Sequence, residues 1–396
     1  MEIKKVLLIK YGEIALRKGN RSYFEHRLLD AIRNNLRYAD TTGKYNVTRE
    51  QGRFLIENVD GHLDIDVVLP RIRNIFGLTS FCVAIKTNAT DINELKPIAL
   101  EFIRSQLEPG HKTFKVETKR SDKNYPLLSG QVSAEIGGEI FESDLGLAVD
   151  LHNPDVTLWV ELRNNTYFYV NSIPGVGGLP YGSNGKGLLL LSGGFDSPVA
   201  GYLTARRGVE VAGVYFHSPP FVSERAADKV RDLAKELTKF TGKFKLWEIP
   251  FTDVQLFLKN ATHPEKLTIL LKRAMLHIAT ALAEKENAQC LITGDSIGQV
   301  ASQTIQSLAA VNSAAGLTTL RPLSILDKQE IIDIAKKIGT YPISIRPYDD
   351  CCTLFVAKHP ENKPSPKAIE KIEGQIFAEL QPLMEAAVEN AKYYEF

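Results

Sequence analysis

The string LLLLSGGFDS, Leu188–Ser197, constrains this chain more than any other stretch. Four consecutive leucines without polar alternation suit a strand buried on both faces, as at the centre of a parallel sheet. Ser192, Gly193 and Gly194 then turn the chain, and Ser197–Pro198 predict the opening of a helix that runs to about Arg207. Proline is tolerated near a helix start, where its missing N–H costs nothing. A strand, a small-residue loop and a helix N-terminus together make an anion site, because backbone N–H groups point at the ligand. The hydroxyls of Ser192 and Ser197 and the carboxylate of Asp196 suit phosphate oxygens and a bound cation. An ordinary βα turn also uses small residues, so the whole string, rather than its Gly-Gly pair, points to a nucleotide. It is not a Walker loop, because no GK[ST] follows.

With 396 residues the chain has room for two or three domains, and 44% apolar against 24% charged residues supplies ample core material. No run of about 18 apolar residues appears, which excludes a membrane-spanning helix. The start, MEIKKVLLIKYGE, has an apolar core too short for a signal peptide. Four cysteines (Cys82, Cys290, Cys351, Cys352) make no disulfide framework, so a cytoplasmic protein with reduced thiols is expected. Residues 1–120 carry 21 Lys/Arg against 15 Asp/Glu, a basic bias compatible with a phosphate-rich partner.

Taken in order, residues 3–10 predict a strand, and Asn20 can cap a helix with Phe24, Leu28, Leu29, Ile32 and Leu36 at helical spacing. Strands near Tyr45–Arg49 and Arg53–Glu57 follow, which together predict a ferredoxin-like α+β sandwich. Arg17, Lys18 and Arg21 cluster before the helix, either as a solvated entry or as phosphate contacts. A second α+β module is predicted from a helix over 66–76, a strand over 81–86, a helix over 92–106 and the strand containing FKVETKR. There Phe114, Val116 and Thr118 alternate with Lys115, Glu117 and Lys119, giving one packed and one charged face. Lys119, Arg120 and Lys123 continue the charge beside Tyr125. A helix over 131–141 and a hairpin turning at Asn164-Asn165 complete the module. Residues 174–187 carry six glycines and two prolines and predict a linker. Beyond it strands alternate with helices, as in a doubly wound parallel sheet. The second small polar loop, TGDSIGQVASQT (Thr293–Thr304), leaves a strand end, as does Tyr215-Phe216-His217. The last stretch, from about Pro366, reads as mostly helix.

Several of these strings resemble known families. SGGFDS after an apolar strand resembles the pyrophosphatase loop of the PP-loop ATP-pyrophosphatases, which split ATP into AMP and pyrophosphate. FKVETKR and VDLHNPDVTLWVEL resemble a THUMP domain, the module that grips the acceptor end of tRNA in RNA-modifying enzymes. Gly177-Gly178-Leu179-Pro180 and the segment after it resemble the tRNA 4-thiouridine synthetase family. The resemblance covers essentially the whole chain. It implies an α/β architecture in which a doubly wound parallel-sheet PP-loop domain is preceded by two smaller α+β domains. They are divided as 1–66 (ferredoxin-like), 67–172 (THUMP), 173–187 (linker) and 188–396 (catalytic). It further implies ATP at Leu190, Leu191, Ser192, Gly193, Gly194, Ser197, Tyr215, Phe216, Lys272, Gly294 and Gln303. Mg²⁺ would accompany ATP, with Asp196 as its protein contact and no protein metal cage. The RNA partner would be met by Arg17, Lys18, Arg21, Lys115, Lys119, Arg120 and Lys123. Each ATP position has a plain alternative: the leucines and Phe216 as core, Lys272 as a side chain reaching solvent, Gly294 as a turn.

The string Asp349-Asp350-Cys351-Cys352 is the second chemical landmark. Adjacent cysteines lack zinc-site spacing, and inert core is the usual state of a free cysteine. The resemblance implies a sulfur-handling cysteine in this loop, either Cys351 or Cys352. Neighbouring carboxylates should raise the thiol pKa unless a cation offsets them. Some family members add a rhodanese-like domain with its own persulfide cysteine. No such domain is expected here, so a separate cysteine desulfurase is the expected persulfide donor. The resemblance also allows sulfur supply to thiamine synthesis. Oligomeric state stays open, a homodimer included. Two other readings remain at this point, an ammonia-using PP-loop ligase and a non-catalytic RNA-binding protein with ATP as a structural ligand.

Overall fold

The computed structural model describes residues 2–37, 45–58, 63–121, 123–348 and 361–396. The chain divides into two units, Met1–Gly178 and Leu179–Phe396. No helix of the described residues is long and apolar enough to cross a membrane.

In the first unit, β1 (Ile3–Tyr11), α1 (Arg21–Arg37), β2 (Tyr45–Glu50), β3 (Arg53–Asn58), α2 (Ile65–Ile72) and β4 (Leu78–Thr87) follow a ferredoxin-like βαββαβ order. The Asp64 carboxylate caps α2 by accepting from the N–H groups of Asp66 and Val67. That helix stops at Ile72, short of the expected Phe76, and the chain turns through Gly77 at φ 101° into β4. Next come α3 (Ile92–Gln106), β5 (Thr113–Arg120), α4 (Ser129–Phe141), β6 (Ala148–Val149), β7 (Val156–Leu162), β8 (Thr166–Tyr169) and β9 (Ile173–Pro174). The strands form one sheet in the order β2-β3-β1-β4-β8-β7-β5-β6, with β9 also on β4. Phe114 and Val116 of β5 pack with Val132 and Ile136 of α4, as their alternation predicts.

The second unit contains β10 (Lys186–Leu190), α5 (Asp196–Arg206), β11 (Glu210–His217), α6 (Glu224–Thr241), β12 (Lys245–Pro250) and α7 (Thr252–Ala261). It continues with α8 (Pro264–Lys285), β13 (Cys290–Ile292), α9 (Ile305–Asn312), β14 (Thr318–Leu320), α10 (Lys328–Lys337), α11 (Tyr341–Ser344), α12 (Pro366–Glu389) and β15 (Lys392–Glu395). The sheet order is β14-β13-β10-β11-β12-β15, parallel except for β15. The leucine run is buried on both faces. Leu188 joins the core under α8 and α12, while Leu189 packs so tightly on α5 that a Cβ at Gly201 would stand 2.6 Å from it. The capping box predicted at α10 forms, with Asp327 accepting from the Glu330 N–H at 2.9 Å.

The C-terminal stretch is mostly helix, as expected, but it also holds a strand that its sequence does not announce. The chain ends on β15, which pairs antiparallel with β12, and Tyr393 packs on Trp247 with ring centroids 5.0 Å apart. Its Lys-Tyr-Tyr-Glu run is too short for a clear periodic signal, yet it covers the open edge of β12.

A buried ion pair ties α8 to α12. The Arg273 Nε donates to Glu373 Oε1 at 3.0 Å, and His277 Nε2 lies 3.2 Å from the same oxygen. Burial alone would raise the Glu373 carboxyl, but His277 and Arg273 outweigh it and lower it to about 2. Its folded value thus lies below the unfolded one, so the pair stabilises above about pH 5 and loses that contribution as pH falls toward 2. Glu373→Gln is expected to cost about 3 kcal/mol at neutral pH, since Arg273 is left buried, and to flatten the acid limb of stability. Chemical denaturation across that pH range measures both effects.

Candidate active site

In the second unit the chain runs from β10 outward through β11 and β12, then returns to the other side of β10 for β13 and β14. The strand order therefore reverses between β10 and β13, and ligands in such sheets bind beyond the carboxyl ends at that point. The two loops singled out in the sequence, Leu191–Phe195 and Thr293–Thr304, leave β10 and β13 at this crevice.

The first loop is held by its own hydroxyls. The Ser192 N–H donates to Ser197 Oγ at 2.8 Å, and the two hydroxyl oxygens lie 3.1 Å apart. From behind, the Ser344 hydroxyl donates to the Gly194 carbonyl at 3.3 Å, and Tyr341 meets Phe195 with centroids 6.4 Å apart. Buried Lys229 donates to the carbonyls of Arg346 (3.3 Å) and Tyr348 (2.8 Å). Its side chain fills the space where a Cβ on Gly193 would stand 2.5 Å away. Gly294 is needed for a similar reason: a Cβ there would lie 2.7 Å from the Ser197 nitrogen, against the first turn of α5.

Asp196 opens α5. Its Oδ2 accepts from Gln299 at 3.4 Å, while Oδ1 is buried without a hydrogen-bond partner. Burial raises its carboxyl pKa, with the Asp295 charge adding, against the opposing effects of Gln299 and Lys328. The Leu191 N–H donates to the Val214 carbonyl at 2.8 Å, which sets Leu190 and Leu191 beside Tyr215 and Phe216. Both aromatic residues are buried, and Phe216 packs edge-on against Phe251 at 5.1 Å. Lys272 and Gln303 converge on one carboxylate oxygen, Asp295 Oδ1, at 3.2 and 3.4 Å. Sequence reasoning missed Asp295, although it stands inside TGDSIGQVASQT, and also missed Arg321, which no motif marks.

The candidate RNA residues lie in the first unit. Lys18 and Arg21 line a cleft of about 550 Å³ together with Arg49. Arg21 donates to Glu25 and to the Tyr11 hydroxyl, both at 2.8 Å, and Arg17 stacks over Phe24 at 4.3 Å. Lys119 lies over the Trp159 ring at 4.7 Å and lines a second cleft, about 350 Å³, with Lys10 and Arg163. Arg120 also reaches that cleft, but it donates to the carbonyls of Tyr125 and Leu127 at 3.0 and 2.7 Å, bracing the following loop. Lys115 pairs with Glu117 at 2.6 Å, and Lys123 is exposed. Cys351 and Cys352 lie outside the described residues. Burial pushes the thiols of Cys82 and Cys290 up, which keeps them in the inert state expected of core cysteines.

A loop of this kind at a switch point, in a chain that opens with a ferredoxin-like arrangement and a further α+β module, defines an α/β protein with a nucleotide site of the PP-loop kind. Residues 182–377 match the family described as Thiamine biosynthesis protein (ThiI), residues 6–82 its ferredoxin-like domain and residues 89–171 the THUMP domain. A protein of Lachnoclostridium phytofermentans named "Probable tRNA sulfurtransferase" is 44% identical over 98% of each chain. One of the same name from Thermoanaerobacter pseudethanolicus is 47% identical over 91% of this chain and 93% of its own. A crystal structure of a 4-thiouridine synthetase–RNA complex with bound ATP is 38% identical, with a TM-score of 0.87 over 99% of this chain and all of that one. The chain belongs to the tRNA sulfurtransferase family, a family of enzymes.

Proposed function

We propose that the protein transfers sulfur to tRNA at the expense of ATP, converting a uridine, at position 8 by family resemblance, to 4-thiouridine. The observation that carries this reading is the SGGFDS loop at the switch point of the second unit's sheet. The uracil C4 oxygen is a poor leaving group, so ATP adenylates it and pyrophosphate departs. Backbone N–H groups of the loop after Ser192 and of the start of α5 hold the phosphate oxygens whose charge grows in that step. Lys272 adds a cation, and Gly294 lets the second loop approach the first closely enough to enclose the nucleotide. Tyr215 and Phe216, whose rings are buried, supply backbone contact for the base. A persulfide sulfur, delivered by a cysteine desulfurase and handled by Cys351 or Cys352, then attacks C4 as AMP leaves with the oxygen. A second thiol displaces 4-thiouridine from the resulting S–S adduct, and a dithiol reductant returns the disulfide so formed to thiols.

Mg²⁺ suits this site on the chemistry of Asp196, whose buried Oδ1 has no hydrogen-bond partner. When bound, the ion neutralises phosphate charge. Asp196 would hold it, and the ion in turn would keep that buried carboxyl ionised. The N-terminal unit supplies the RNA grip, with Lys18, Arg21 and Lys119 facing their clefts. Thiolation of unmodified tRNA, measured with ATP-Mg²⁺ and a persulfide donor present together and with each omitted in turn, tests the whole reading. No 4-thiouridine in the complete mixture would refute it.

The grip has its own test. Lys119→Ala with Lys123→Ala should weaken tRNA binding and lower its salt slope by up to about two. Arg120→Ala should instead loosen the loop over 121–127, seen as faster amide exchange there. An unchanged salt dependence in the double variant would mean that Lys119 and Lys123 are merely solvated.

A further inference from the structure

We propose that Asp295 is the positioning residue of the nucleotide site, and that Arg321, paired with it, is a second phosphate-contacting cation beside Lys272. The inference rests on the ATP reading of this crevice. Four groups meet the Asp295 carboxylate. Oδ1 accepts from Lys272 Nζ at 3.2 Å and from Gln303 Nε2 at 3.4 Å, and Oδ2 accepts from the Thr293 hydroxyl at 2.8 Å. The Arg321 Nε completes the set at 3.6 Å from Oδ2. Arg321 follows β14, and the Leu320 carbonyl accepts from the Thr293 N–H at 3.0 Å, which sets Arg321 at the same carboxyl edge as the second loop.

Two features separate this carboxylate from an ordinary buried ion pair. First, Lys272 and Arg321 would repel one another without a shared anion between them, and a carboxylate with one cation on each oxygen fixes both. Lys272, Thr293 and Arg321 in turn hold the Asp295 carboxyl below its usual range, outweighing burial. Second, Arg321 Nε has only its ion-pair contact with Asp295, and one terminal nitrogen of Arg321 and the Oε1 of Gln303 are buried without hydrogen-bond partners among the described residues. An unpaired guanidinium nitrogen calls for an acceptor of the kind a phosphate oxygen provides. The remaining terminal nitrogen donates to Asn312 Oδ1 at 3.0 Å, so the fork is held at one end and open at the other. Asp295 has both oxygens engaged by protein donors, whereas Asp196 keeps one oxygen unpartnered. One aspartate thus orders the cations and the other remains for a metal ion.

Calorimetric titration of the full chain with ATP-Mg²⁺ tests this, with tRNA affinity as the check on folding. Asp295→Asn and Arg321→Met should each weaken ATP binding about tenfold or more, the scale of losing one hydrogen bond to a charged group. Asp295→Glu should recover part of the loss. Because Asp295 acts through Lys272 and Arg321, the losses from Asp295→Asn and Lys272→Met should add to clearly less than their full sum in the double variant. An Asp295→Asn protein with wild-type ATP affinity, or losses that add in full in the double variant, would overturn the positioning role. Should Asp295→Asn fail to fold, wild-type ATP affinity in Arg321→Met would overturn the inference instead. If Lys272→Met weakens binding while the other variants do not, only this inference falls. If Lys272→Met also binds ATP as wild type does, the ATP reading falls with it.

Discussion

Asp196→Ala is expected to lower tRNA-dependent pyrophosphate release by about a thousandfold or more while tRNA affinity stays nearly unchanged. The reasoning starts from one atom. A buried carboxylate oxygen without a partner is costly unless something pairs with it, and among the described residues nothing hydrogen-bonds Asp196 Oδ1. The helix N-terminus beneath it and the two serine hydroxyls already suit anions, so the group missing from a phosphate site is a cation. Asp196 is the acid placed to bring one. Alanine removes that charge and leaves Ser192, Ser197 and the backbone of the loop as they are. The basic clefts belong to the other unit, which is why RNA binding should survive. Radiolabelled ATP with unmodified tRNA gives the first readout and filter binding the second. Equal pyrophosphate release by variant and wild type would remove Asp196 from the chemistry.

The second large effect separates the two chemical steps. Cys351→Ala/Cys352→Ala is expected to form adenylated tRNA but very little 4-thiouridine when a desulfurase supplies the persulfide. Adenylation needs the phosphate loop and the uracil oxygen, and neither involves a thiol. Inorganic sulfide at high concentration should restore part of the product, because a small nucleophile bypasses the missing relay. Two inert cysteines would behave differently: truncation would cost some stability but leave both steps running in whatever protein folds. Normal desulfurase-dependent thiolation by the folded double variant would sink the relay. Loss of adenylation as well would mean that this stretch shapes the nucleotide site.

Much of the fold was legible because long elements carry strong periodicity. The helix over 92–106, the hairpin at Asn164-Asn165 and the doubly buried leucine strand all announce themselves through spacing or turn residues. Short edge elements do not. β14 and β15 are three and four residues long, and their existence depends on a neighbouring strand's open edge rather than on their own sequence. The site divides in the same way. Ser192–Ser197 and Gly294 could be found because close backbone approach demands small residues, which leaves a trace in composition. Arg321 could not, since only the pairing of β13 with β14 brings it to Asp295. Arg120 illustrates the opposite case: the run of cations marked it as a candidate RNA contact, but only the fold shows its guanidinium bracing a loop.

The first unit's sheet crosses from one module into the next without a break, because β4 pairs with β1 on one side and β8 on the other. A flexible joint between the ferredoxin-like part and its successor is therefore ruled out by backbone hydrogen bonds, where two separate domains would pivot on a linker. Gln51 lines one basic cleft and Gly52 the other, so the β2–β3 turn stands between them like a fixed tooth on a gauge. A polyanion that fills both clefts must match their spacing as it finds it. Occupied by RNA, the two clefts would gauge length and curvature rather than adapt to them, and a flexible single strand would lose freedom in that fit where a preformed, folded one would not.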